Sequence, residues 1–343
     1  LKPRQCGLLK KNMNYNFLAI GDTVTDAFID LKEDDASAHL DIDKGVREIC
    51  FRFADKIPYS NVYIMPAVGN SANAAVAASR LGLKSVLVSN IGDDYFGTEC
   101  LDALKSEKVG TEFIEIHKGV KTNYHYVLWY KDDRTILIKH EKYDYKLPDI
   151  NNPDWVYFSS MGENSLDFHY EFEKYLNDHK EIKLAFQPGT YQMKFGKDAL
   201  AGIYKRSDVF FCNREESQRI LETKEEDIKN LLKMISDLGP KITVITDGPK
   251  GAYSYDGKEM LFMPPYPDPK PPFERTGAGD AFSSTFTVAL ALGKSVREAM
   301  MWAPVNPMSV VQHIGARAGL LTREQLEEYL KKAPAGYEPK VLD

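Results

Sequence analysis

Between Glu274 and Phe286 the chain reads ERTGAGDAFSSTF: two glycines bracket a small residue and a carboxylate follows at once. Phe282, Phe286, Ala289 and Leu290 then recur at helical spacing, so the glycines open an apolar, buried helix. The first N–H groups of a helix have no partner within it, and the aligned peptide dipoles add positive potential there. Bare glycine backbone at such an end allows Gly277, Ala278 and Gly279 to form a hole for an anion such as phosphate. Asp280 stands next to that hole. A carboxylate beside a phosphate cradle suits one task, taking the proton from a hydroxyl that attacks phosphorus. The same residues also serve as an ordinary helix start, with glycine for the turn and Asp for the dipole.

The surrounding pattern places this segment in an α/β domain. Short apolar runs recur at 17–20, 86–88, 156–158, 184–186, 209–211 and 242–245, which read as strands. Helical stretches lie at 71–81, 95–106, 166–177, 227–238 and 296–311. Buried strands alternating with helices predict a parallel sheet covered on both faces. Two regions break the alternation, about 28–68 and 113–140, where runs such as NVYIM, FIEI, NYHYVLWY and RTILI predict a small β-rich excursion. The proline-rich segment 264–273 reads as a loop.

Composition narrows the partners. The 343 residues carry 44 Lys+Arg against 50 Asp+Glu, a net charge of −6, without a basic block. Nucleic acid is therefore not expected, and any site for an anionic ligand must be local. No apolar run approaches the roughly 20 residues of a membrane span. Cys6, Cys50, Cys100 and Cys212 show no ligand or disulfide spacing, which fits reduced thiols and a cytoplasmic location. Residues 1–12 lack an apolar core and a cleavage site and read as a disordered, non-native leader. The main domain is expected over 13–330, with a tail at 331–343.

The run TGAGDAF, from Thr276 to Phe282, resembles the C-terminal signature of the ribokinase-like (PfkB) family of carbohydrate and nucleoside kinases. That resemblance implies a three-layer α/β/α sandwich with a mainly parallel sheet, and identifies the β-rich excursion as a lid that covers the sugar and sometimes pairs two subunits. Further segments resemble the family in the same order. Gly21 to Asp26, GDTVTD, follows the first strand and is similar to the motif whose Asp grips substrate hydroxyls, a role that falls on Asp26. A carboxylate accepts two hydroxyl hydrogen bonds, as a vicinal diol requires. Asp22 suits a turn instead. The segment 66–82 resembles the N-terminal signature, with Gly69, Asn70 and Asn73 at substrate-binding positions and Val68 where a first glycine is usual.

In the middle, Asn213 and Glu216 resemble an Asn-x-x-Glu element that acts near the phosphates and, through water, on Mg²⁺; an acidic first turn is also ordinary capping. Thr246, Asp247, Gly248 and Gly251 match the strand and loop bordering ATP, Thr276 opens the anion hole, and Asn306 is expected to line the adenine pocket. Glu274 replaces an Asp that often precedes the hole, which counts against a monovalent-cation site. Gln187-Pro188-Gly189 stands where an acidic residue is frequent. Lys139, His140 and Lys142 are candidates for a phosphorylated sugar.

These residues imply an ATP-dependent kinase acting on a sugar, with Asp280 as general base and Mg²⁺ as cofactor. A nucleoside kinase of the same fold is the alternative, and a non-catalytic sugar- or nucleotide-binding regulator is a third reading. Retention of Gly277, Gly279 and Asp280 argues against the third, since a binder needs no base. A dinucleotide-dependent dehydrogenase is excluded because no G-x-G-x-x-G follows the first strand.

Overall fold

A computed structural model describes residues 15–32, 39–41, 48–131 and 133–342. The expected leader at 1–12, Cys6 and parts of the 28–68 segment lie outside them. In chain order the strands are β1 (Phe17–Ile20), β2 (Val24–Leu31), β3 (His39–Asp41), β4 (Glu48–Cys50), β5 (Tyr59–Val68), β6 (Ser85–Gly92), β7 (Gly110–His117), β8 (Tyr124–Tyr130) and β9 (Asp133–Leu137). They continue with β10 (Trp155–Phe158), β11 (Lys183–Phe186), β12 (Val209–Asn213), β13 (Ile242–Thr246), β14 (Ala252–Tyr255), β15 (Met260–Met263) and β16 (Lys340–Val341). The helices are α1 (Asn70–Arg80), α2 (Tyr95–Ser106), α3 (Leu166–Asp178), α4 (Thr190–Phe195), α5 (Ala201–Arg206), α6 (Arg214–Leu221) and α7 (Ile228–Ser236). After them come α8 (Ala278–Ala291), α9 (Val296–Trp302), α10 (Val305–Val310) and α11 (Arg323–Lys331).

Strand β1 shows why the sheet lies inside. Phe17 and Ala19 point into one apolar cluster, with residues of α1, α8 and α10, while Leu18 and Ile20 point into another, with residues of α3 and α7. All four are buried, so the run reads as continuous apolar sequence rather than alternation. The large sheet has the order β16-β15-β14-β13-β12-β11-β10-β1-β6-β7. Pairing is parallel from β7 to β13 and antiparallel from β13 to β16. With helices on both faces this is the three-layer α/β/α sandwich the sequence implied. Among the described residues no helix is long and apolar enough to cross a membrane.

A second sheet, in the order β5-β2-β8-β9, forms the lid. Its limits differ from the expected ones in two ways. It begins at Val24, because β1 ends at the Gly21 turn and the next residues pair with both β5 and β8. Asp26 therefore rides on the lid itself. The FIEI run belongs to β7, which pairs in parallel with β6 at the edge of the large sheet, so the 113–117 part of the expected excursion is not lid. The lid pairing also alternates sharply. The cross-strand row Ile64, Ala27, Tyr126 and Leu137 lies on one face, and the row Met65, Asp26 and His125 lies on the other.

Two other expectations are corrected. The helix predicted over 296–311 is two helices, because Pro304 has no N–H to donate and its ring clashes with the preceding turn. The 331–343 tail is not merely a tail, since β16 pairs with β15 at the end of the large sheet.

Candidate active site

Asp280 lies in the first turn of α8, and its surroundings follow from how that helix begins. Gly277 caps α8 at φ +79°, where a Cβ would lie 2.2 Å from the Ala316 Cβ. Only glycine turns the chain into the helix this close to the 311–320 segment. Buried Glu274 secures the approach: its Oε1 accepts the Thr276 N–H at 2.7 Å and the Thr276 hydroxyl. Arg134, from lid strand β9, stands 3.8 Å from the same oxygen. Gly279 is open by contrast. A Cβ there meets no atom within 4 Å, and the residue faces a cavity of about 580 Å³.

The cavity is lined by Thr246, Gly248 and Gly251 and by Phe282, Pro304 and Met308. Ala278, Gly279 and Arg275 line it as well. A largely apolar lining with a few polar groups and helix N-terminal backbone suits a small organic molecule that also carries charge. Asp247 borders this region and pairs with Arg214 at 3.7 Å and Lys250 at 3.6 Å. Asn306, expected to line the cavity, is corrected: it is fully buried, donating to Thr285 Oγ1 at 2.8 Å and accepting from the Leu321 N–H at 2.8 Å. Both ends of its amide hold α10 to its neighbours.

Asn213 and Glu216 form a reciprocal cap on α6. Asn213 Oδ1 accepts the Glu216 N–H at 2.8 Å, and Glu216 Oε2 accepts the Asn213 N–H at 2.8 Å. Loss of water around Glu216 holds its carboxyl above the usual carboxylate range, and the Asp280 charge adds to this. Among the described residues no group of three His, Cys, Asp or Glu side chains is placed to hold a metal ion.

The carboxylate of Asp280 is clamped. Its Oδ2 accepts from Asn73 Nδ2 at 2.8 Å, and its Oδ1 from Gln187 Nε2 at 3.2 Å. Gln187 is itself oriented, since its Oε1 accepts from the Tyr157 hydroxyl and from Ser283 Oγ. Loss of water raises the Asp280 pKa above its ordinary value. The two amide donors and the Arg134 charge oppose that rise, while the Asp26 carboxylate adds to it. Sequence reasoning marked Gln187 only as a departure and gave Asn73 to the substrate. The structure brings both to the carboxylate, an arrangement with no local signature.

On the lid side, Gly69 caps α1 at φ +110°, where a Cβ would lie 2.7 Å from the Asp22 carbonyl oxygen, and Asn70 begins the helix. Val68 is buried. Asp26 is buried with Oδ1 lacking a hydrogen-bond partner, as does Asn73 Oδ1. Asp22 is more than a turn residue: it accepts from the Tyr145 hydroxyl at 2.9 Å and faces His140 Nδ1 at 3.0 Å. Of the three residues considered for a phosphorylated sugar, Lys139 pairs with Glu141 and Lys142 with Glu163 at the surface, while His140 turns toward Asp22.

Comparison with known proteins agrees with this fold. The model of the pfkB family carbohydrate kinases matches residues 65–323. The chain is 30% identical over 275 residues to the ribokinase of Bacillus subtilis, covering 76% of this chain and 87% of that protein. It is 30% identical over 234 residues to the cytidine kinase of Thermococcus kodakarensis, covering 67% of this chain and 82% of that protein. The structure of Arabidopsis thaliana ribokinase complexed with ribose and ATP superposes with a TM-score of 0.77 at 18% identity, covering 93% of this chain and 99% of that one.

The two glycines of the hole should respond differently to substitution. Gly277→Val is expected to lower the urea-unfolding free energy by roughly 2–5 kcal/mol, from left-handed strain plus the clash with Ala316. Gly279→Val should stay within about 0.5 kcal/mol of the parent, since open space receives the side chain. Equal stabilities for the two variants would contradict this account of the helix start.

Proposed function

We propose that this chain, which belongs to the pfkB family of carbohydrate kinases, transfers the γ-phosphoryl group of ATP to a hydroxyl of a sugar. One observation carries the reading: a clamped carboxylate, Asp280, borders bare helix N-terminal backbone that opens on a cavity of nucleotide-compatible size. ATP occupies that cavity, with its base among the proline-lined walls and its phosphates at Ala278, Gly279 and Arg275. The sugar lies under the lid, between Asp26 and Asn73. Asp280 takes the proton of the attacking hydroxyl at one carboxylate oxygen as the oxygen bonds to phosphorus and the bond to the β-phosphate oxygen breaks. The N–H groups of the first turn of α8 offset the charge on the moving phosphoryl oxygens. A base with a pKa raised by lost hydration accepts the proton more readily than an exposed carboxylate.

Mg²⁺ neutralises phosphate charge when bound. Glu216, a carboxylate in the first turn of α6, would reach such an ion through water, since Mg²⁺ keeps most of its hydration shell and needs no protein cage. A monovalent cation is left out of the reading, because Arg134 already brings positive charge to Glu274. The outer lid face supports a second element of the proposal. Ile64, Tyr126 and Leu137 are 47%, 50% and 52% exposed in one cross-strand row, an apolar surface suited to the same face of a second copy.

Asp280→Asn is expected to bind ATP normally and to lower turnover by roughly two to four orders of magnitude, the weight of a general base. Near-parental turnover in a steady-state assay would remove Asp280 from the chemistry. Asp26→Ala should raise the sugar KM about tenfold or more while leaving the ATP KM little changed, because a buried sugar hydroxyl loses its acceptor. A rise confined to the ATP KM would place the sugar elsewhere. For the lid, Leu137→Asp should convert a two-copy particle to one copy in light scattering; a parent already monomeric at micromolar concentration rules out pairing through this face.

A further inference from the structure

The lid carries a residue that the chemistry above does not use. His125 on β8 is the direct cross-strand partner of Asp26 on β2, so both side chains lie on the inner face. Its Nδ1 sits 3.4 Å from Asp26 Oδ1, and its Nε2 is buried without a hydrogen-bond partner. The ring is held in place by His140, with centroids 5.3 Å apart, and His140 is in turn fixed by Asp22. An ionised carboxylate only accepts, so the ring proton belongs on Nδ1, facing Asp26, and Nε2 is left as an acceptor.

Asn73 has a similarly defined polarity. Its Nδ2 donates to Asp280, which makes the unpartnered Oδ1 an acceptor. With Nδ1 turned to Asp26, two buried acceptors remain unmet: Asn73 Oδ1 and His125 Nε2. Asp26 is near enough to Asp280 for its charge to raise the Asp280 pKa, which puts this set beside the reacting centre. Buried acceptors are costly unless a ligand brings donors. A polyol supplies them as hydroxyl protons. A phosphate or carboxylate supplies none, and it would meet the Asp22 and Asp26 carboxylates.

We propose that His125 Nε2 accepts a hydrogen bond from a third non-reacting hydroxyl of the acceptor, making His125 a specificity-determining residue for an uncharged polyol. The inference rests on the sugar-kinase reading and sharpens it. A ribonucleoside has three ribose hydroxyls; with one reacting, Asp26 and Asn73 take the other two, and a base stands where a free sugar presents a further hydroxyl. His125 therefore favours free sugars over nucleosides.

The test compares the best sugar with each of its monodeoxy analogues in the parent, His125→Phe and Asp26→Ala enzymes. In the parent, removing the hydroxyl read by His125 should lower kcat/KM roughly 10- to 100-fold. His125→Phe should impose a similar loss on the intact sugar and little further loss on that one analogue. Asp26→Ala should couple chiefly to a different hydroxyl and weaken, without abolishing, the penalty at that position, because Nδ1 loses the carboxylate it faces. His125→Gln, which keeps a side-chain acceptor, should retain part of the discrimination and serves if the Phe variant does not fold. Coupling of His125→Phe to no hydroxyl, or equally to all, overturns the proposal, as does a parent preference for the phosphorylated form of the same sugar. A parent that phosphorylates nucleosides and no free sugar overturns the sugar reading itself, a result distinct from loss of the coupling alone.

Discussion

The structure turns on placing a carboxylate at the positive end of a buried helix. Asp280 lies in the first turn of α8, where unpaired N–H groups and the helix dipole attract anions. Left in water, such a carboxylate is a weak base and a competitor for the same N–H groups. Here it is drawn aside by two amides, Asn73 from α1 and Gln187 from the end of β11. The backbone of Ala278 and Gly279 is then left facing the cavity. Gln187 is oriented by further contacts and Asn73 by its place on α1, so the clamp depends on the packing of α1 against α8 and on the Tyr157–Gln187–Ser283 cluster.

The lid completes the arrangement from the other side. Strand β2 leaves β1 at Gly21 and carries Asp26 over the site, while β9 brings Arg134 to Glu274, which holds Thr276 at the entrance to the hole. One small sheet thus touches both the proposed acceptor position and the loop that shapes the proposed phosphate position. A lid so connected links the presence of an acceptor to the geometry of the helix start, and excluding water there strengthens every charge interaction inside.

Much of this was legible in the sequence because it is local. Strands buried on both faces leave continuous apolar runs, and the glycine–Asp helix start is a contiguous motif. What was misread is non-local. FIEI and NYHYVLWY have the same β character, and only pairing distinguishes β7 in the large sheet from β8 in the lid. Gln187 and His125 acquire their positions from residues 93 and 99 places away, Asp280 and Asp26, through contacts no spacing encodes. Asn306 was misplaced for the converse reason: its position on a helix after the hole says nothing about which way the amide turns, and it turns inward. Pro304 was a local signal that should have divided the 296–311 helix.

The most direct measurement of the central claim is acceptor-dependent release of ADP from ATP and Mg²⁺ across a panel of free sugars, sugar phosphates and nucleosides, with products identified by mass. The account predicts ADP formed one-for-one with a sugar monophosphate for at least one free sugar, and faster than with any nucleoside or sugar phosphate. ADP release that no hydroxyl compound accelerates, or that a nucleoside accelerates beyond every free sugar, would contradict it.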